Sequence, residues 1–395
     1  MKDRPDDRPG VLHVMHGNGG GIEVAVRNLA WRTVDEYRHV LLWASGKGWI
    51  LETPGDDPVV LRVRWGNPFR RISRWLRLDL CHVHHLTEQR SRIHAWLLRS
   101  RLPLGITLHD FHFVCPRVHM VPPGSTFCNA PTETAVCERC LAADPVWRGS
   151  LAEWRRESRS LLAAASFVTA PTRFTRDVIA RYAPDMRCFI VPHRYAPDWP
   201  ALDRPAPDGG PASVAVVGAL GREKGGELIE SIAVRARERL LPLRFVVLGD
   251  THRHGGPQSL HDDYLFINGS YRCEELPDLL ARYRARLAVF PTIWPETFCL
   301  TLSEVLRCGV PVCVPGFGAL AERVRALGGG AEIDDWASPD AWLDGIMAEL
   351  KDEAGAWGRA AAARCAVERE GGETDYPALY RQALGLPAHG NERVH

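Results

Sequence analysis

Two stretches of this chain open in the same way. Val11 to Met15 is an apolar run that leads into His16-Gly17-Asn18-Gly19-Gly20-Gly21 and an amphipathic segment from Ile22 to Trp31. Ser213 to Val217 leads into Gly218-Ala219-Leu220-Gly221-Arg222-Glu223-Lys224-Gly225-Gly226 and a helical pattern from Glu227. Strand, glycine loop and helix in that order open a doubly wound parallel sheet, whose strands are buried on both faces. Glycines leave backbone N–H groups bare there, so a phosphate or sugar can approach. The second loop adds two cations, Arg222 and Lys224, to meet diphosphate charge. The first loop is not Gly-x-Gly-x-x-Gly and lacks an acidic residue at the dinucleotide spacing, so a merely tight turn competes with a ligand site.

A third stretch carries the chemistry. Leu287 to Phe290 reads as a buried strand bounded by Pro291, and Pro295-Glu296-Thr297-Phe298-Cys299-Leu300-Thr301-Leu302-Ser303-Glu304 follows. Phe298, Leu302, Val305 and Leu306 fall at helical spacing, which predicts a helix from Phe298 to Cys308 that stops at Gly309. Glu296 then precedes the helix N-terminus and Glu304 lies two turns on, about 12 Å along the axis. That is too far for a glycosidase acid/base pair. It suits the two ends of one elongated ligand, with helix N–H groups facing an anion between them. Without its surroundings such a pair is only a solvated helix face.

At 395 residues the chain is long enough for two domains with their own cores. A formal net charge of +1 gives no global field that points to nucleic acid. No apolar run approaches the roughly 18 residues of a membrane span, and the first ten residues are polar. With 11 cysteines, an odd number spread over both halves, reduced thiols and a cytoplasmic location are the expectation.

Between the glycine loops, 39–43 and 58–63 read as further strands. In 64–80, Arg70, Arg71, Arg74 and Arg77 alternate with Phe69, Ile72, Trp75 and Leu76. That pattern suits either a surface helix packed on the sheet or peripheral contact with the inner face of a membrane or an anionic glycolipid. Leu80 to His85 and Leu104 to Asp110 read as strands ending in polar residues, where open α/β sheets bind ligands. Cys115, Cys128, Cys137 and Cys140 follow as C-x12-C-x8-C-x2-C in a Pro/Gly-rich loop. The set can hold a tetrahedral structural zinc, with unligated thiols or a labile disulfide as competing readings. Arg117 beside it is a candidate for an anionic acceptor. Leu151 to Ala165 predicts a helix, Phe167 to Ala170 and Cys188 to Pro192 strands, and the Pro/Gly/Asp-rich 197–211 a linker. In the second half Phe245 to Gly249, Leu265 to Asn268 and Val310 to Pro315 predict strands, 274–284 a helix, and the pattern after Ser338 is helical.

Glu-x7-Glu on a strand-to-helix turn resembles the donor site of retaining GT-B glycosyltransferases, especially family 4, of the glycosyl transferases group 1 type. The resemblance covers nearly the whole chain and is strongest from Ser213 to Gly318. It implies an α/β fold of two doubly wound, Rossmann-like domains facing each other across a cleft. The acceptor-binding domain would span 1–196, the linker 197–211 and the nucleotide-sugar domain 212–374, with a C-terminal helix in 375–395 crossing back. In the implied site Glu296 meets sugar hydroxyls and Glu304 the ribose. The N–H groups of Thr297, Phe298, Cys299 and Leu300, with Lys224, face the leaving phosphate. Gly20 and Gly21 lie against the diphosphate, Gly269 and Tyr271 seat the base, and His109 hydrogen-bonds a sugar hydroxyl as a neutral imidazole. The family usually has an arginine where Ala219 stands, leaving Arg222 as a candidate substitute. The implied reaction moves a hexose-type sugar from a nucleotide-diphosphate donor to a glycan or glycolipid, in surface polysaccharide biosynthesis, with no catalytic metal. A weakly active or non-catalytic nucleotide- or glycan-binding protein is the alternative that Ala219 keeps open.

Overall fold

The computed structural model describes residues 7–17, 19–45, 48–54, 58–61, 68–86, 90–194 and 198–387. The chain divides into two compact units, one of 1–118, 131–194 and 371–395, the other of 119–130 and 195–370.

The first unit is built on eight strands: β1 (Gly10–Val14), β2 (Arg38–Ser45), β3 (Gly48–Glu52), β4 (Val59–Leu61), β5 (Leu78–Val83), β6 (Leu104–Thr107), β7 (Phe167–Ala170) and β8 (Cys188–Ile190). Their order is β4-β3-β2-β1-β5-β6-β7-β8. The chain moves outward from β1 to β2, then returns to place β5 on the other flank of β1, so the winding switches between β1 and β5. Pairing is parallel from β2 to β8, while β3 and β4 add an antiparallel edge. The strand β3 was not foreseen. The predicted strand at 58–63 is β4, and 62–63 lie outside the described residues. The helices of this unit are α1 (Gly21–Arg32), α2 (Pro68–Trp75), α3 (Arg90–Arg99), α4 (Thr134–Ala142), α5 (Leu151–Ala164) and α6 (Arg173–Ala180). Ser150 and Thr172 cap α5 and α6 by accepting from Glu153 N (3.2 Å) and Thr175 N (3.3 Å).

The second unit is a seven-stranded sheet of β9 (Ala212–Val217), β10 (Leu243–Leu248), β11 (Gln258–Leu260), β12 (Leu265–Gly269), β13 (Leu287–Val289), β14 (Val312–Pro315) and β15 (Gly330–Ile333). The order is β11-β12-β10-β9-β13-β14-β15, with only β11 antiparallel. Its switch point lies between β9 and β13. Around it pack α7 (Gly226–Glu238), α8 (Leu276–Arg282), α9 (Leu300–Arg307), α10 (Gly318–Leu327), α11 (Pro339–Lys351) and α12 (Glu353–Glu368). Val214 and Val216 face one apolar cluster with Ile229 and Trp342, and Ala215 and Val217 face another with Leu302 and Trp357. The period-2 alternation of a strand thus feeds two cores. The predicted helix at 274–284 is regular over α8 and opens with a short 3-10 turn at Cys273–Glu275.

Two boundaries differ from expectation. Residues 119–130, expected in the first domain, belong to the second unit: Phe127 N donates to Ile293 O at 3.2 Å, and its ring stacks on Phe317. The expected linker 197–211 also groups with the second unit, where Leu202 N donates to Cys308 O at 2.9 Å. The chain returns at 371, and α13 (Tyr376–Leu384) packs on β5. Buried Tyr376 and Tyr380 lie beside His82 there, and the Tyr380 hydroxyl is 2.7 Å from His82 Nδ1.

Candidate functional site

The residues of the second unit expected to face a ligand gather at the carboxyl ends of β12, β10, β9 and β13. The loop after β9 is sealed against the segment after β13. Ile293 N donates to Glu223 O at 3.0 Å, and Thr292 Oγ1 lies 3.0 Å from the same carbonyl. Gly225 has φ 82, and a Cβ there would come within 1.8 Å of Pro291 O, so only glycine permits this approach. The closure brings Lys224 Nζ to 3.9 Å from Glu296 Oε1. Glu296 is buried and Lys224 is half-exposed, and the carboxylate raises the lysine pKa. Lys224 is therefore charged at neutral pH.

The turn after Glu296 is strained. Glu296 (φ 41) and Cys299 (φ 67) hold left-handed backbone that side-chain-bearing residues rarely adopt. The helix α9 consequently starts at Leu300, not at Phe298, and the expected 12 Å axial rise does not describe the two carboxylates. Phe298 is buried by other means. Arg323, itself 2% exposed, stacks its guanidinium 3.7 Å above the Phe298 ring. Its Nη1 donates to Phe298 O (2.9 Å) and Cys299 O (3.0 Å), its Nη2 to Ser303 Oγ (2.8 Å) and its Nε to Glu370 (2.8 Å). On the other side Ala319 N donates to Pro295 O at 2.8 Å. Among the described residues no side chain caps α9, and no acidic residue sits in its first turn, which leaves that end electropositive. Burial, then Glu296, pushes the Cys299 thiol up to about 11, so it stays protonated at neutral pH.

Glu304 lies buried one turn into α9 and accepts from Cys273 Sγ at 3.4 Å. Its charge, after burial, raises the pKa of Tyr271, which places that ring near the carboxylate. Gly269 ends β12 with φ 92, its N–H donating to Gly249 O at 3.1 Å. Gly218 follows β9, and a Cβ on Gly249 would sit 2.1 Å from its carbonyl. Ala219 follows in this tight packing. Arg222 pairs with Glu227 of α7 at 3.3 Å on the exposed side and is not brought to the Lys224–Glu296 pair. Thr292, Arg323 and Cys273 were not foreseen as parts of this region; each acts on a residue 20 or more positions away, beyond the reach of any spacing rule.

In the first unit, Gly20 (φ 80) and Gly21 open α1, and a Cβ on Gly20 would meet nothing within 4 Å. His109 follows β6 and is buried, with Nε2 2.9 Å from His84 Nδ1 and its ring stacked on His193 at 4.8 Å. Asp110 takes His85 Nε2 at 2.9 Å, His112 Nδ1 at 2.7 Å and His112 N at 2.8 Å. Burial alone would raise its pKa, but His85 and His112 outweigh that and hold it well below the usual range. A cavity of about 110 Å³ in this unit is lined by Asn28, Thr33, His84, His109, His193 and Arg194, among others.

Of the four cysteines, Cys137 and Cys140 lie on α4 and belong with Cys115 to the first unit, whereas Cys128 belongs to the second. Cys137 Sγ donates to Pro131 O (3.4 Å) and accepts from Arg155 Nη2 (3.2 Å). Arg117 pairs with Asp144 at 3.1 Å. The groups among the described residues whose donor atoms converge for a metal are His13, His82 and His84, and His85, Asp110 and His112. In the segment 64–80, residues 64–67 and the side chains of 68–71 lie outside the described residues. On α2, Ile72 is buried, while Trp75 is 72% exposed. No helix among the described residues is long and apolar enough to cross a membrane.

Two doubly wound sheets of this kind, with a strained strand-to-helix turn at the switch point of the second, define a GT-B fold. Solved structures agree. Sucrose-phosphate synthase from Thermosynechococcus elongatus superposes with a TM-score of 0.66 at 16% identity, covering 96% of this chain and 100% of that one. HepE from Anabaena, in complex with UDP and glucose, gives 0.60 at 14% identity over 96% of this chain and 99% of its own. The catalytic domain of starch synthase IV from Arabidopsis thaliana, bound to ADP and acarbose, gives 0.55 at 13% identity over 96% and 99%. A search of curated proteins by sequence returns no match. Residues 201–364 match the family model of glycosyl transferases group 1. The chain thus has the GT-B fold, and the stretch that matches the group 1 model lies within its second unit.

Proposed function

We propose that this enzyme moves a hexose-type sugar, with retention at the anomeric carbon, from a nucleotide-diphosphate donor to a glycan or glycolipid acceptor. Surface polysaccharide biosynthesis in the cytoplasm, at the inner face of the membrane, is the setting we assign. The observation that carries the reading is the Lys224–Glu296 pair at 3.9 Å beside the electropositive start of α9. Solved neighbours bound to UDP with glucose, or to ADP, support a nucleotide-sugar donor. In this reading Glu296 accepts from sugar hydroxyls and Glu304 from the ribose, beside Tyr271 and Gly269. Lys224 and the N–H groups of Thr297 to Leu300 stabilise charge growing on the diphosphate. Gly20 and Gly21 serve that diphosphate too, and His109 meets a sugar hydroxyl.

The bond from the anomeric carbon to the diphosphate oxygen breaks as the bond to the acceptor oxygen forms on the same face. The acceptor proton passes to the departing phosphate oxygen. The protonated Cys299 supports a path without a thiolate nucleophile. Exposed Trp75 supports peripheral membrane contact.

Glu296→Ala and Lys224→Ala should each lower turnover at least about tenfold, roughly 1.5–3 kcal/mol per lost charged contact. Unchanged turnover in both would leave the site misassigned. Ala219, with Arg222 engaged by Glu227, favours a second reading, a GT-B protein that binds nucleotide or glycan with little transfer. Release of free nucleoside diphosphate from a labelled donor separates the two.

A structural zinc on Cys115, Cys128, Cys137 and Cys140 completes the proposal; the single turn between Cys137 and Cys140 supports it. Elemental analysis of the full chain should return about one zinc per chain, and a metal-free preparation that is fully folded would rule it out.

A further inference from the structure

Four histidines of the first unit stand in one file. His39 Nε2 lies 3.0 Å from Thr33 Oγ1, and His13 Nε2 2.9 Å from His39 Nδ1. His84 Nε2 is 2.9 Å from His13 Nδ1, and His109 Nε2 is 2.9 Å from His84 Nδ1. The file crosses three neighbouring strands: β2 carries His39, β1 carries His13, and His84 follows β5. All four rings are buried.

The direction of the file follows from counting protons. A neutral imidazole has one N–H and one lone pair, and every link needs one of each. Thr33 Oγ1 has a single proton, which it gives to Leu29 O at 2.8 Å, so it can only accept from His39. His39 therefore carries its proton on Nε2 and accepts at Nδ1. The same logic passes to His13, His84 and finally His109. We infer that Thr33, His39, His13 and His84 are positioning residues that lock His109 as the Nε2–H tautomer, so that its Nδ1 is a hydrogen-bond acceptor matched to a hydroxyl and not to a phosphate or carboxylate oxygen.

This rests on the reading of His109 as a sugar-facing residue. Burial supports the neutral state of every ring: it holds His13, His84 and His109 well below 6.5 and His39 at about 4. The same counting argues against a metal on the His13–His82–His84 group. His82 spends its nitrogens on Tyr380 OH (2.7 Å) and Thr107 Oγ1 (2.8 Å), and those of His13 and His84 are used within the file. No three lone pairs converge on one point.

The test is a long-range proton–nitrogen NMR correlation on the full chain labelled with 15N-histidine, which reads tautomers directly. Single-histidine substitutions supply the assignment. At neutral pH, His13, His39, His84 and His109 should all show the Nε2–H pattern. Nδ1–H at His109, or a doubly protonated ring anywhere in the file, overturns the inference. His39→Leu removes the acceptor that His13 needs, so His109 should shift toward Nδ1–H and the donor KM should rise about fivefold or more. A His109 that stays purely Nε2–H in this variant also overturns it. The native spectrum decides the matter even where His39→Leu does not fold. If the tautomers hold but His109→Ala transfers sugar as before, the site assignment fails and the file stands.

Discussion

Glu296 and Cys299 each hold a backbone that costs on the order of 1–3 kcal/mol. Such strain persists only where the surroundings over-determine it, and Arg323 does so here through two carbonyls, one hydroxyl, one carboxylate and a ring face. Arg323→Met keeps the apolar stem but leaves Glu370 and the two carbonyls without that donor. Breaking such a buried pair should cost roughly 3–5 kcal/mol in urea unfolding. Turnover of the folded fraction should also fall, because the N–H groups of 297–300 lose their fixed direction. A variant that is destabilised yet fully active would show that the arginine supports only the fold. At this scale Glu296, Glu304 and Lys224 stand out as candidates in the sequence because each sits in a short motif with its own local logic. Arg323 does not, since its partners lie 20 to 47 residues away.

At the scale of elements, β1, β2 and β5 lie side by side and load one region of the first unit with histidines. His82 in β5 and His84 just past its end stand two residues apart with their rings 4.0 Å from each other, and His13 is directly opposite His82. That spacing was visible in the sequence, whereas the pairing of β5 with β1 was not. The consequence is a specific pH response. Burial lowers the folded-state pKa of His13, His39 (to about 4), His82 (to about 3), His84 and His109 below the ordinary 6.5. Below pH 6.5 the unfolded chain takes up protons that the folded chain refuses, so stability is full above that value and falls as pH drops toward 4. Each such ring contributes up to about 1.4 kcal/mol per pH unit in that window. Asp110, whose folded pKa is depressed, adds its loss only below its ordinary value of 3.8. Denaturant midpoints measured from pH 7 to 4.5 should therefore decline steeply; a flat profile would contradict the buried, neutral file. The helix α9 teaches a related point. Phe298 fits the helical period, yet its burial comes from the stacked Arg323, so periodicity placed the start of the helix two residues early.

Across the whole molecule, the two doubly wound units carry the fold of sucrose-phosphate synthase while sharing only 16% identity with it. Sequence alone determined the succession of apolar strands, glycine turns and helices, the fold class that follows, and the Glu-x7-Glu and lysine motifs. These are set by backbone periodicity and turn chemistry, which act over about ten residues or fewer. Tertiary structure alone decided that 119–130 joins the second unit, that Arg222 turns to Glu227, that Arg323 clamps the strained turn, and that four histidines align with one polarity. Burial of apolar surface is non-directional and does not name partners. Hydrogen bonds between distant residues do, and they exist only once sheet order has set which strands are neighbours.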